Sequence, residues 1–299
     1  MQNIAAVKTQ IPSKGPFVAG ATVTAYVLTN GIRNTATAAT TATTTVTTGN
    51  LGAFEFANLD SGITELEITG NYLNENDNST ATVGTLTSII NINGDFSNNI
   101  NIFTDLEARR IKALMAANSM DFVAAKSAAT AAVANLFNLS ADDVNLSALD
   151  LTDGTNEDNL ILLRASAAVA NTPDILANLQ TAAADMQNNN LNENTAGAQA
   201  LEDLNSEYGT LNFDQIAANI TGLGTSTAIA ATALAALNQA PTLTITTSTR
   251  RIDEDSGLIP IDIEFGNDGN PPSTDENDIT LLADSNFSVV STNPNRHCD

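Results

Sequence analysis

The densest chemistry in this sequence is oxygen. Acidic and amide side chains crowd together at Asp253-Glu254-Asp255, at Asn267-Asp268 with Asp275-Glu276-Asp278, and at Asp150-Asp153-Asn156-Glu157-Asp158. Hard cations take several oxygens at close range, so calcium is the cofactor such clusters could hold. The metal candidates are Asp253, Glu254, Asp255, Asp268, Asp275, Glu276 and Asp278; the other reading of them is solvated loop. The third cluster lacks the EF-hand order, because Thr152 and Gly154 fall on ligand positions. Asp153 and Glu157 there favour the positive end of the helix that follows.

Covalent chemistry is poorly provided for. Nucleophilic catalysis with an oriented imidazole would need His297, the single histidine, and a thiolate nucleophile would need Cys298, the single cysteine. The two are adjacent, so on an extended chain they point apart, and together they could bind zinc only with outside ligands. Paired-carboxylate glycosidases bind sugars in aromatic-lined clefts, whereas here Tyr26, Tyr72 and Tyr208 are the only tyrosines and tryptophan is absent. No phosphate loop of the GxxxxGK[ST] or GxGxxG kind occurs. These residues predict a protein that is not an enzyme.

Charge narrows the partners. Eleven Lys plus Arg against 34 Asp plus Glu give a formal charge of -23, a surface that repels nucleic-acid phosphates and anionic membrane. Arg109-Arg110 with Lys112 is the one basic knot before the C-terminal segment. It could meet an acidic partner, but the simpler expectation is pairing with Glu107 and neighbouring aspartates; Arg250-Arg251 invites the same reading. With one cysteine no intrachain disulfide is possible, and no run of about 18 apolar residues is long enough to cross a membrane. Met1 to Ala6 lacks a basic and an apolar signal region, so an export signal or lipid anchor is expected to have been removed or never present. Low Lys, abundant Thr and Asn, and Asp/Asn-rich loops point to export; a cytosolic protein of a salt-adapted organism is the competing reading.

Residues 1–102 read as all-β. Val23 and Ala25 alternate with Thr22, Thr24 and Tyr26, turn residues sit at Gly20, Asn30-Gly31, Gly49-Asn50 and Ser61-Gly62, and Phe54 and Phe56 share one strand face. Thr35 to Thr48 is nearly all Thr and Ala and is expected as a long edge strand or hairpin. At Thr104-Asp105-Leu106-Glu107 a capping box starts a helix, and Ser119 starts a second. Further helices are expected over Glu157 to Val169, from Thr172-Pro173, over Thr195 to Glu207, Phe213 to Asn219 and Thr225 to Leu237. After the linker Gln239 to Thr242, Leu243 and Ile245 alternate with Thr, and Ile259, Ile261 and Ile263 alternate with Pro260 and Asp262, a strand pattern.

Three stretches carry a resemblance. Gly15-Pro16, Val18-Ala19-Gly20-Ala21-Val23 and Gly52-Phe54-Phe56-Leu59 resemble the carboxypeptidase-regulatory-like or CnaB-like family of transthyretin-type sandwiches found in bacterial surface proteins and lipoproteins. Thr104 to Ile111 is similar to the start of the helical segment that follows such a sandwich in many surface lipoproteins. The stretch from Ala240 to Phe265 resembles the opening of Ig-like or cadherin-like adhesin repeats, although 59 residues after the linker fall short of a full sandwich. The resemblance implies a multidomain α+β fold: an N-terminal Ig/transthyretin-like β-sandwich over 1–102, an α-helical domain over 103–238, and a partial Ig/cadherin-like β segment over 241–299. It also implies that calcium could stiffen the last segment, and that Lys8 or Lys14 with Glu55 or Glu67 could form part of an isopeptide crosslink, a solvated lysine being the alternative.

The function expected is therefore non-enzymatic: an extracellular structural protein of the bacterial surface, an adhesin stalk or assembly subunit. Its partners would be other copies of itself or neighbouring surface proteins, and β-strand addition could complete the short third segment. The alternative is a binding module that takes a glycan or peptide between sandwich and helices, near Tyr72.

Overall fold

The β-branched residues Thr22, Val23, Thr24, Val27 and Thr29 favour an extended chain and make Thr22–Thr29 the first strand, β1. In the computed structural model, residues 15–47, 50–56, 59–93, 98–118, 120–139, 144–185, 195–224, 228–237, 243–245 and 263–265 are described. Asn30 and Gly31 follow β1 with φ of 51° and 76°, the left-handed pair of a tight type I′ hairpin, and lead to β2 (Ile32–Arg33). Then come β3 (Thr40–Thr43), β4 (Thr45–Thr47), β5 (Asn50–Ala53), β6 (Gly62–Leu73) and β7 (Thr80–Ile92). The main sheet runs β2-β1-β6-β7, with β3 also on β1; β4 and β5 form a separate pair. All these pairings are antiparallel.

The Thr-rich run is divided at Thr44. This residue turns inward: its hydroxyl accepts from Ala21 N at 2.9 Å and donates to the Val18 carbonyl at 2.7 Å. The strand on one side stays with β1, and the strand on the other pairs with β5.

Register gives the sheet two unlike faces. Val23, Ile68 and Leu86 lie side by side across β1, β6 and β7, fully buried, and join Phe17, Phe54, Phe56 and Tyr72 in one core. One residue along, Thr43, Thr22, Thr69 and Thr85 form a rung on the opposite face, followed by Thr41, Thr24, Glu67 and Thr87. Farther along that second face, Leu28 and Ile89 turn apolar again and meet the first helix.

The helices are α1 (Ile102–Asn118), α2 (Phe122–Phe137), α3 (Glu157–Asn171), α4 (Pro173–Ala184), α5 (Thr195–Tyr208), α6 (Phe213–Gly222) and α7 (Ala231–Ala236). The capping box of α1 lies three residues before the expected one. Asn101 Oδ1 accepts from Thr104 N at 2.9 Å while Thr104 Oγ1 accepts from Asn101 N at 2.8 Å, so Thr104 closes the box that Asn101 opens. α2 begins at Phe122, capped by Asp121, whose carboxylate accepts from Ala124 N at 2.9 Å; Ser119 lies outside the described residues. Pro173 does open α4, but the Thr172 side chain makes no capping bond and donates to Glu207 at 2.7 Å instead.

The architecture is mixed α+β. At the expected 102/103 boundary the secondary structure changes, while strand residues and helix residues, Phe103 stacked on Phe137 at 4.3 Å among them, belong to the same hydrophobic core. By compactness the chain forms two units, Met1–Leu237 and Asn238–Asp299. In the second unit β8 (Leu243–Ile245) and β9 (Ile263–Phe265) pair antiparallel, with Thr244 opposite Glu264. All seven calcium candidates from Asp253 to Asp278 lie outside the described residues, as do Lys8, Lys14, His297 and Cys298. Among the described residues no single helix is long and apolar enough to cross a membrane.

Candidate functional site

The β6 register places Glu65 and Glu67 on the sheet face away from the core, beside Tyr26 and Thr24 of β1 and Ile89 and Thr87 of β7. Over that face runs α1, and Asp105, Arg109 and Lys112 fall at a spacing of four then three residues, one stripe of the helix. The Asn30-Gly31 turn supplies a third wall. A Cβ on Gly31 would stand 3.0 Å from Met115 Cβ and 3.3 Å from the Lys112 carbonyl, so only glycine lets the hairpin lie this close to α1. That contact sets Arg33 beside the two glutamates.

The result is an open cleft of about 590 Å³ between the sheet and α1, its walls formed by Arg33, Glu65, Glu67, Arg109, Lys112 and a small apolar strip. Arg33 Nε donates to Glu65 Oε2 at 2.7 Å and its Nη2 to Glu67, and its guanidinium lies 3.8 Å from the Tyr26 ring centroid. Lys112 Nζ reaches the other oxygen of Glu65 at 2.8 Å. Burial pushes the Glu65 carboxyl up, but the hydrogen bonds and charges of Arg33 and Lys112 outweigh it and hold the group below its ordinary value. For Arg33 burial works downward, and the two glutamates more than reverse it.

Asp105 is the anchor beside the cleft, with no exposed surface. It accepts from Thr87 N at 2.9 Å, Thr87 Oγ1 at 2.8 Å, Gln180 Nε2 at 2.8 Å and Arg109 Nε at 3.0 Å. Thr104 Oγ1 stands 3.2 Å from the Thr87 carbonyl. The amide of Thr87, on the strand at the end of the sheet, is thereby satisfied by α1, and its carbonyl shares the single Thr104 hydroxyl hydrogen with the Asn101 carbonyl at 2.9 Å.

The basic knot is thus dispersed. Arg109 meets Asp105, Lys112 meets Glu65, and Arg110 points elsewhere, buried, its Nη1 donating to the Asp185 carbonyl. Glu107, the expected partner, serves α2: it accepts from Lys126 Nζ at 2.8 Å and from the Thr130 hydroxyl. Arg33 was missed, although the Asn-Gly turn two residues before it and the period-two glutamates were the signals that could have found it.

The other acidic and aromatic candidates have structural partners. Asp150 Oδ1 accepts from Thr152 N and Oγ1 at 2.9 and 2.7 Å, Asp153 Oδ1 accepts from Thr155 N and Oγ1 at 3.0 and 2.7 Å, and Asn156 caps α3. No group of three or more His, Cys, Asp or Glu able to hold a metal occurs among the described residues. Tyr72 is buried against Phe17, and burial with the charges of Glu75 and Asp77 pushes its hydroxyl up to about 12, so it offers no platform to a sugar. Tyr208 is covered by Arg164, whose guanidinium lies 3.9 Å from the ring centroid.

No family model matches this chain, and neither the curated proteins nor the solved structures contain a match. The cleft therefore has to be read from its own chemistry.

Proposed function

We propose that the chain is a non-enzymatic extracellular structural protein of a bacterial surface, an adhesin stalk or assembly subunit. On this reading a CnaB- or transthyretin-like sandwich and its helices are followed by an Ig- or cadherin-like segment. Strand addition between copies, and calcium at the acidic residues between Asp253 and Asp278, belong to the same proposal. The observation that carries it is the use made of the buried carboxylates: Glu65, Asp105 and Glu107 are each taken up by two or more donors that fasten α1 to the sheet, to α2 or to α4. Such groups hold a shape. Protease treatment of intact cells should remove the protein, and sedimentation should show association that calcium strengthens. Full protection inside the cell, with a monomer at every calcium concentration, would sink the proposal.

A second reading, a ligand-binding module, is favoured by the cleft itself, since an open cavity of about 590 Å³ lies where sheet and helix meet. Tyr72 has no part in it. Substitutions at Ala116, rather than near Tyr72, are the ones that should change binding.

A further inference from the structure

We propose that the cleft between α1 and the sheet is a carboxylate-binding site, a proposal that rests on the second reading above. Its charges are layered. Two anions lie at the base, with Glu65 and Asp105 side chains 1% and 0% exposed; Glu67, 21% exposed, lies above them and is paired to Arg33, and the side chains of Arg33, Arg109 and Lys112 stand outermost at 36%, 33% and 37% exposed. A solute entering the cleft meets guanidinium and ammonium first.

That is an unusual surface on this chain. The described residues hold six basic side chains, Arg33, Arg109, Arg110, Lys112, Lys126 and Arg164, and three of the six converge here, in a protein with 34 acidic residues against 11 basic ones. None of the three is fully used. Lys112 gives one hydrogen bond of the three its ammonium can make, and Arg109 engages Asp105 through Nε and Nη2 while its Nη1 has no acceptor among the described residues. A planar guanidinium with free donors matches a carboxylate. The remaining wall is methyl surface, from Ala113, Ala116 and Ala184, with Thr85 on the sheet side. It has no free ring on which a neutral sugar could stack, because Tyr26 is covered by Arg33. A ligand that places one carboxylate between Arg109 and Lys112 and lays a short aliphatic or peptide stem on the alanines meets the free donors and the methyl strip, and leaves Glu67 to its existing partner Arg33.

The carboxylate can come from a free diacid or from an acidic side chain of a peptide, and the experiment separates them. Glutarate, a tetraglutamate peptide and uncharged glutaramide are titrated into the full chain by calorimetry, with the alanine methyl resonances followed by NMR. Glutarate or tetraglutamate should bind and shift Ala113 and Ala116; the diacid alone identifies a small-molecule site, and a much tighter peptide identifies a docking site. The double variant R109Q/K112Q should weaken that binding by about tenfold or more, the worth of one charge-assisted hydrogen bond. Because Arg109 also contacts Asp105, Ala116→Glu, at an exposed position, is the second test: it fills the cleft with its own carboxylate and should abolish binding with the melting temperature preserved. Equal binding of glutaramide and glutarate, lost in A116E, would overturn the carboxylate assignment while leaving a binding cleft. No response to any probe would overturn both.

Discussion

Arg33 and Arg164 each fasten a helix-bearing joint, by opposite means. Arg33 sits among carboxylates, with Glu65 at 2.7 Å, and is held above its ordinary basicity. Arg164 projects from α3 onto the rings of Tyr208 at 3.9 Å and Phe213 at 5.8 Å, and gives an Nη1 hydrogen to the Leu237 carbonyl, the last residue of the first unit. Burial lowers its basicity, because rings and a carbonyl replace lost hydration less fully than carboxylates do. The same burial keeps the Tyr208 hydroxyl well above its usual range. One side chain type should therefore make one joint that answers to salt and acid and another that is insensitive to both.

The largest blow to the ion-paired joint is Asp105→Ala. It strands Thr87 N, Thr87 Oγ1 and Gln180 beside a half-exposed Arg109, and should cost about 3 kcal/mol by urea denaturation, since a buried donor left without its acceptor costs about 1–3 kcal/mol. Next comes the other joint: Arg164→Met should cost about 1–2 kcal/mol, and the same amount at low and high salt. Arg33→Met should cost about 1 kcal/mol, since more than a third of the side chain is in water and Lys112 remains on Glu65, and that cost should shrink near 1 M salt, where screening is almost complete. If the two arginine variants respond alike to salt, the contrast between the joints is wrong.

Acid sharpens the comparison further. The folded Glu65 carboxyl lies below its ordinary 4.5, so its contribution is present above that value and is lost as the pH falls through the lower folded one. Unfolding free energy followed downward from pH 6 should fall on this limb, and Glu65→Gln should flatten it. The limb should be unchanged in Arg164→Met.

What could be read in the sequence followed from how far its signals reach. The Asn30-Gly31 hairpin, Pro173 at a helix start and the alternation of β1 are set by neighbours a few residues away, and all three are present. The capping box falls three residues earlier because Asn101 and Thr104, which do not match the Ser/Thr-x-x-Glu/Gln pattern, make the same reciprocal bonds, and Glu107 is taken by α2. The cleft was the least legible part. Lys112 and Glu65 are 47 positions apart, and Gln180 and Asp105 are 75 apart, so composition revealed a basic knot without revealing its partners. Nor could it show that a glycine against Met115 would bring Arg33 to the same place.

Thr87 has a further consequence for how such a sheet could grow. With its amide taken by Asp105 and its carbonyl facing Thr104, β7 is obstructed at that point, while β3, whose residues Thr40, Thr41 and Thr43 are exposed, has β1 on one flank and no other strand among the described residues on the second. A visiting strand would thus meet an obstacle on β7 at Thr87 and none on β3 among the described residues. If copies of the chain pair laterally through this sheet, the β3 flank is where the joint would begin.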